Sequence, residues 1–212
     1  MQITAIKPAV KNDSRANIFI DGKFSFSLDL AQLADAKLKV GQTLTDEQLS
    51  ELKQQSNFGK LYQRTLEWVL SRPHSIKETR DYLARKKFQK PEYQITDQAI
   101  ALIIDKLQAK NYLNDVDFTT YYIENRFQKK GISSKRLRQE LLKKGVVSSI
   151  VDQALSSTAR SDTEEIQKII NKKRRLKTYQ NDEKLIQYLL RQGFDYQLVQ
   201  TAVRETDSQN LA

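Results

Sequence analysis

Ser133 to Leu155 reads SSKRLRQELLKKGVVSSIVDQAL, a run whose leucines and lysines alternate with helical spacing. Leu137, Leu141 and Leu142 fall on one helical face, while Lys135, Arg136, Arg138, Lys143 and Lys144 surround that face with positive charge. Gly145 supplies the unhindered φ > 0 conformation that ends a helix, and Val146 is placed to fold back on the last turn. A second apolar-periodic run, Ile150, Val151, Ala154 and Leu155, starts almost at once. The stretch is a short basic helix, a tight turn and another helix.

The same order occurs on either side. Upstream, Pro73 stops a helix whose stripe is Leu61, Thr65, Leu66, Val69 and Leu70 with Trp68 beside it. Ser75-Ile-Lys-Glu78 is then a capping-box match that opens a helix through Ile76, Thr79, Tyr82 and Leu83. Thr96 caps the next, which carries Ala99, Ile100, Ile103, Ile104 and Leu107. Asp115 or Asp117 caps a helix through Phe118, Tyr121, Tyr122 and Ile123, which leads into the opening stretch. Downstream, Asp162 starts a third copy with Ile166, Ile169 and Ile170, followed by helices over 182–193 and 195–205. Aligned on Leu83, Leu141 and Leu189, the position four later is Lys87, Gly145 and Gly193, and the position five later is Phe88, Val146 and Phe194. A three-helix unit at roughly fifty-residue spacing is a repeat architecture in which stacking adds to thin individual cores. The expected repeats are 57–114, 115–160 and 161–212.

Residues 1–56 differ. Ile3 to Val10 alternates like a strand, and Asp21-Gly22 stands between two alternating runs as a two-residue hairpin turn. Ile18 and Ile20 are expected on one face, and Phe24, Phe26 and Leu28 together across the turn. Leu30, Leu33 and Ala34 suggest a short helix, and Thr45 begins another with Asp46 and Glu47 near its positive end. This segment reads as a docking or capping module. The fold class is mainly α: an elongated, curved tandem of three three-helix repeats with a small N-terminal β-hairpin module.

Composition narrows the function. The chain has 212 residues, no cysteine and one histidine, His74. Disulfides and thiolate metal sites are therefore excluded, and no nucleophile–base pair can be built around His74, whose place after Pro73 suits a turn. The glycines stand at 22, 41, 59, 131, 145 and 193, too scattered for a phosphate loop. No twenty-residue apolar run or signal peptide is present. The expectation is a cytoplasmic monomer without catalytic residues, metal or cofactor.

The net charge of +10 is unevenly placed. Residues 1–56 carry seven basic and seven acidic side chains, so the whole excess lies beyond them. A localised basic excess points to an acidic partner such as nucleic acid or a nucleoprotein, against the plainer reading of solvated helix faces. The candidate contacts are Arg85, Lys86 and Lys87; Lys129 and Lys130; Lys135, Arg136 and Arg138; and Lys172, Lys173, Arg174, Arg175 and Lys177. The last run is expected to cover all sides of its helix, which burial cannot accommodate. Direct nucleic-acid binding and a purely structural adaptor role are the alternatives to a nucleoprotein partner.

These residues carry a resemblance. Ser71-Arg-Pro-His-Ser-Ile-Lys-Glu-Thr-Arg80-Asp-Tyr-Leu83 resembles the RecX pattern of Arg-Pro-x-Ser, an acidic residue and an Arg-x-x-Leu helix. The second copy is closer still: Tyr112-Leu-Asn-Asp115, Phe118, Arg126, Lys130-Gly131, Lys135-Arg-Leu-Arg138-Gln-Glu-Leu141 and Lys144-Gly-Val146. The match covers residues 57–205, and the hairpin module resembles an extension of longer members. The resemblance implies a modulator of the RecA recombinase that binds the RecA filament on single-stranded DNA. It implies that strand exchange and ATP hydrolysis are hindered, by blocked growth or by disassembly. The third copy departs most, being longer and more basic over 172–181.

Overall fold

The structure, a computed structural model, describes residues 1–10, 12–89, 91–129, 131–158 and 160–209. Strands β1 (Ile3–Ala9), β2 (Asn12–Ile20) and β3 (Lys23–Asp29) form one antiparallel sheet in the order β1-β2-β3. Asp21 and Gly22 both have positive φ, 47° and 80°, the conformation a two-residue hairpin needs. Opposite Ile18 and Phe19 the register slips, so that Ile18 faces Phe26 but Phe19 faces Phe24. Ile18, Ile20, Phe26 and Leu28 stay buried, whereas Phe24 is 56% exposed and meets Phe19 edge-on at 6.1 Å. Strict alternation had placed Phe24 with Phe26. One extra residue in the strand moves it to the other face.

Helix α1 (Leu30–Ala36) follows, and α2 (Asp46–Leu70) starts in a capping box between Thr45 and Gln48. With no breaker before Pro73, α2 runs unbroken past residue 56, where the sequence reading put a boundary. Its Ser56 hydroxyl donates to the Ser27 carbonyl at 2.6 Å, which ties the helix to β3. Gly59 lets α1 approach, since a Cβ there would lie 2.6 Å from the Gln32 side chain. Helix α3 (Ile76–Gln89), a 3-10 turn (Pro91–Tyr93) and α4 (Asp97–Ala109) complete this part. The chain then continues through α5 (Asp115–Lys129), α6 (Ser134–Lys143), α7 (Ser148–Ser157), α8 (Asp162–Lys173), a 3-10 turn (Lys177–Tyr179), α9 (Asp182–Arg191) and α10 (Tyr196–Gln209).

Two compact units result. One comprises residues 1–72 and 79–112; the other comprises 73–78, the first turn of α3 among them, with 113–212. In the second unit Phe118, Ile123, Ile132, Leu137, Leu141, Val146 and Val151 form one core. Ile166, Ile169, Ile170, Leu185, Leu189, Phe194, Val199, Ala202 and Val203 form another. The aligned leucines 83, 141 and 189 are all fully buried.

The next aligned column divides. Gly145 and Gly193 adopt φ of +84° and +88°, and Val146 N–H and Phe194 N–H reach back to the carbonyls of Leu141 and Leu189. That is the closing bond of a left-handed helix stop, and it buries Val146 and Phe194. Lys87 lacks this freedom, so α3 continues to Gln89 and Phe88 is exposed. Among the described residues no helix is long and apolar enough to cross a membrane.

Candidate functional site

The second unit contains one arrangement twice. Ser75 Oγ accepts from Glu78 N–H at 3.0 Å, capping its own helix, and donates to the carbonyl of Lys144 at 2.8 Å. The Ile76 N–H beside it donates to Asp115 Oδ1 at 2.9 Å, and a Cβ on Gly145 would sit 2.5 Å from Lys77 Cβ. Fifty-eight residues on by the repeat alignment, Ser133 Oγ accepts from Arg136 N–H at 3.1 Å and donates to Gln192 O at 3.2 Å. Ser134 N–H donates to Asp162 Oδ1 at 2.9 Å, and a Cβ on Gly193 would sit 2.6 Å from Ser133 Oγ. In each joint a serine at a helix start meets the end of a later helix, with glycine allowing the approach and aspartate closing the flank.

The sequence reading made Asp115 or Asp117 a helix cap and began the third copy at Asp162. Val116 N–H instead donates to Asn114 Oδ1 at 2.8 Å, and Ser161 caps α8, which leaves Asp115 and Asp162 for the joints. His74 is buried at this corner with Nδ1 3.2 Å from Glu78 Oε2, a packing role consistent with its turn position.

The Ser133 joint brings α6 against the end of α9 and leaves a cleft of about 510 Å³ lined by Lys135, Arg136, Lys143 and Arg191 together with Gly193 and Phe194. Its acid, Glu140, is already engaged. Arg126 donates to both of its oxygens at 2.8 and 3.0 Å, and Tyr122 OH donates at 2.9 Å. These bonds, the Arg126 pair first, hold the Glu140 carboxyl down at about 2. Burial, with Glu140 adding, pushes the Tyr122 phenol up to about 12. Arg136 Nη1 donates to the Arg191 carbonyl at 2.7 Å, so its guanidinium is a wall of the cleft. Among the described residues no carboxylate lies within 4.0 Å of Lys135, Lys143 or Arg191, and all three are exposed. Such a pocket suits a phosphate or carboxylate.

The other expected contacts divide into pinned and open groups. Arg138 is held bidentately by Asp152 at 2.7 and 3.1 Å. Lys87 Nζ pairs with Asp97 at 2.8 Å, and Lys86 Nζ lies 5.4 Å over the Tyr82 ring. Residues 172–177 do not share one helix, because α8 ends at Lys173 and the chain turns. Arg174 straps that turn, donating to Gln180 O at 2.9 Å and Asp182 Oδ1 at 2.6 Å. Lys173 Nζ sits 4.4 Å over Tyr188 and 4.8 Å over Tyr179, a cation–π seat that uses its charge internally. Arg85, Lys172, Arg175 and Lys177 remain exposed. Lys130 and the side chain of Lys129 lie outside the described residues.

Two cleft residues, Lys143 and Arg191, were not among the expected contacts. The signal for them was present: two positions after the aligned leucines stand Arg85, Lys143 and Arg191, a basic residue in every repeat. All three are exposed.

Comparison with known proteins bears on the family and the fold. The family model described as regulatory protein RecX N-terminal domain matches residues 1–45, and that described as RecX, second three-helix domain, matches residues 114–155. The regulatory protein RecX of Bacillus licheniformis is 30% identical over 213 residues, covering 98% of this chain and 78% of its own length. That of Bacillus subtilis shows the same identity and the same coverage. A crystal structure of regulatory protein RecX superposes with a TM-score of 0.69 at 21% identity, covering 96% of this chain and 98% of the other. One of RecX from Lactobacillus salivarius gives 0.55 at 23%, covering 71% and 97%. These two likenesses are of fold.

Proposed function

The chain belongs to the RecX family, and from that premise we propose that it modulates RecA by binding the RecA filament on single-stranded DNA and hindering strand exchange and ATP hydrolysis. The observation that carries the proposal is the open cationic column. Arg85, Lys143 and Arg191 recur at one repeat position, and two of them line a cleft whose acid is already neutralised. In this reading the repeats are 57–114, 115–160 and 161–212, preceded by the 1–56 module, and the action is non-catalytic.

Lys135, Lys143 and Arg191 make the cationic contacts to an anion in the cleft, with Arg136 as its positioned wall. Arg85, Lys172, Arg175 and Lys177 add unpaired charge elsewhere on the surface. We take the protein to act in the cytoplasm as a monomer. The test is RecA's ATP hydrolysis on single-stranded DNA: stoichiometric addition of this protein lowers it, and an unchanged rate counts against the proposal.

The same cleft also suits a second reading, direct nucleic-acid binding without RecA. That reading requires tight binding to naked strands with a steep salt dependence. Weak naked-strand binding beside strong filament binding favours the first.

A further inference from the structure

Phe88 occupies a repeat position that is core in the other two copies. Val146 is 2% exposed and Phe194 is 4% exposed, but Phe88 is 83% exposed. The difference follows from Lys87, which stands where the other copies have glycine and so lets α3 run on.

The extended end is held firmly. Lys87 Nζ pairs with Asp97 Oδ1 at 2.8 Å, and Lys86 lies over Tyr82, which stacks parallel on Trp68 with ring centroids 4.5 Å apart. An exposed phenyl ring is therefore presented on the last turn of a regular helix. Arg85, three residues earlier and on the same face, is exposed as well.

A flat apolar ring beside unspent positive charge fits a ligand that alternates anionic groups with flat apolar faces. Single-stranded nucleic acid is such a ligand, whereas a duplex keeps its base faces stacked on one another. We propose that Phe88 is a base-stacking residue: an unpaired base lies on its ring while Arg85 meets a flanking phosphate. The proposal rests on the reading that the partner contains single-stranded DNA, but its test uses naked strands and so is separable from the RecA assay.

Trp68 is the only tryptophan, so the double variant Trp68→Phe, Phe88→Trp carries one reporter at the site. It is titrated with an oligo-dT strand and with an abasic strand of equal length and charge. Saturable quenching by oligo-dT is expected, with weaker binding of the abasic strand. Phe88→Ala in the otherwise native chain is expected to weaken oligo-dT binding about five- to 150-fold, the range for loss of one base–aromatic stack, and to leave abasic binding as it was. Phe88 is exposed, so its thermal melt should match the native one.

Equal affinity for the two strands, unchanged oligo-dT binding by Phe88→Ala, or no binding of naked strands by the native chain would each overturn the proposal. Loss of the effect on RecA with oligo-dT binding intact would assign Phe88 to a protein pocket instead, and overturn it equally.

Discussion

Ser75 and Lys144 stand 69 residues apart in the chain, yet the hydroxyl of one donates to the carbonyl of the other at 2.8 Å. Ser133 and Gln192 repeat the relationship at 3.2 Å. Each serine uses a lone pair to cap its own helix and its proton to satisfy a terminal carbonyl of another, two groups that a helix cannot satisfy internally. Polar bonds at Ser75 and Ser133 thus tie together helix ends that are distant in the sequence, and the joint at Ser133 forms the cleft.

Gly193→Ala should break that joint. An added methyl group meets Ser133 Oγ at 2.6 Å and Arg136 Cβ at 3.0 Å, in a backbone with φ +88°. Gly41 has the same φ with nothing within 4 Å, so Gly41→Ala isolates the backbone cost. That cost is about 1–2 kcal/mol. In urea unfolding Gly193→Ala should lose clearly more than Gly41→Ala, and equal losses would mean the joint yields without resistance.

Leu141→Ala removes a fully buried side chain from the core that contains Phe118, Leu137 and Val146. The expected loss is about 2–5 kcal/mol by denaturant unfolding. A loss below about 1 kcal/mol would contradict the packing described.

Glu140 makes the second unit acid-sensitive. Its folded carboxyl titrates at about 2 against an ordinary 4.5, so its stabilisation is complete above 4.5 and is lost as pH falls toward 2. Tyr122 acts at the opposite end: with its phenol raised from 10.0 to about 12, its share is present below 10 and is lost as pH rises toward 12. Stability against pH should therefore be flatter between pH 5 and 2 in Glu140→Gln than in the native chain. An unchanged slope would remove Glu140 as the acid-sensitive group.

Arg174→Ala and Lys172→Ala should separate structure from contact. Arg174 straps the turn through the Gln180 carbonyl and Asp182, so its loss should lower the melting temperature. Lys172 is exposed at the end of α8, so its loss should leave melting unchanged. Similar melting curves for the two variants would place Arg174 outside the fold's support.

Much of this was legible in the sequence. Helical periodicity, Ser75, Thr96 and Gly145 located the helices, and Asp21-Gly22 located the hairpin, because each is a local signal with a local cause. The failures were non-local. Phe24 turned over through a bulge, which alternation does not register. Arg138, Lys173 and Arg174 look like free charge in one dimension, but Asp152, Tyr188 and Asp182 occupy them in three. Asp115 read as a possible cap because its true partner lies 39 residues away, and nothing local pointed from Asp162 to Ser134, 28 residues off. Lys143 and Arg191 were within reach, had the repeats been compared column by column for charge as they were for leucine and glycine.

Whether the cationic cleft acts on the RecA filament is read from RecA's single-stranded-DNA-dependent ATP hydrolysis with the native chain and with Lys143→Glu/Arg191→Glu. Both side chains are exposed, so the double variant should fold normally. The native protein should inhibit, and at least about tenfold more of the double variant should be needed, since two charge-assisted contacts are reversed. Equal inhibition by both proteins, or none by the native one, would contradict action of the cleft on the filament.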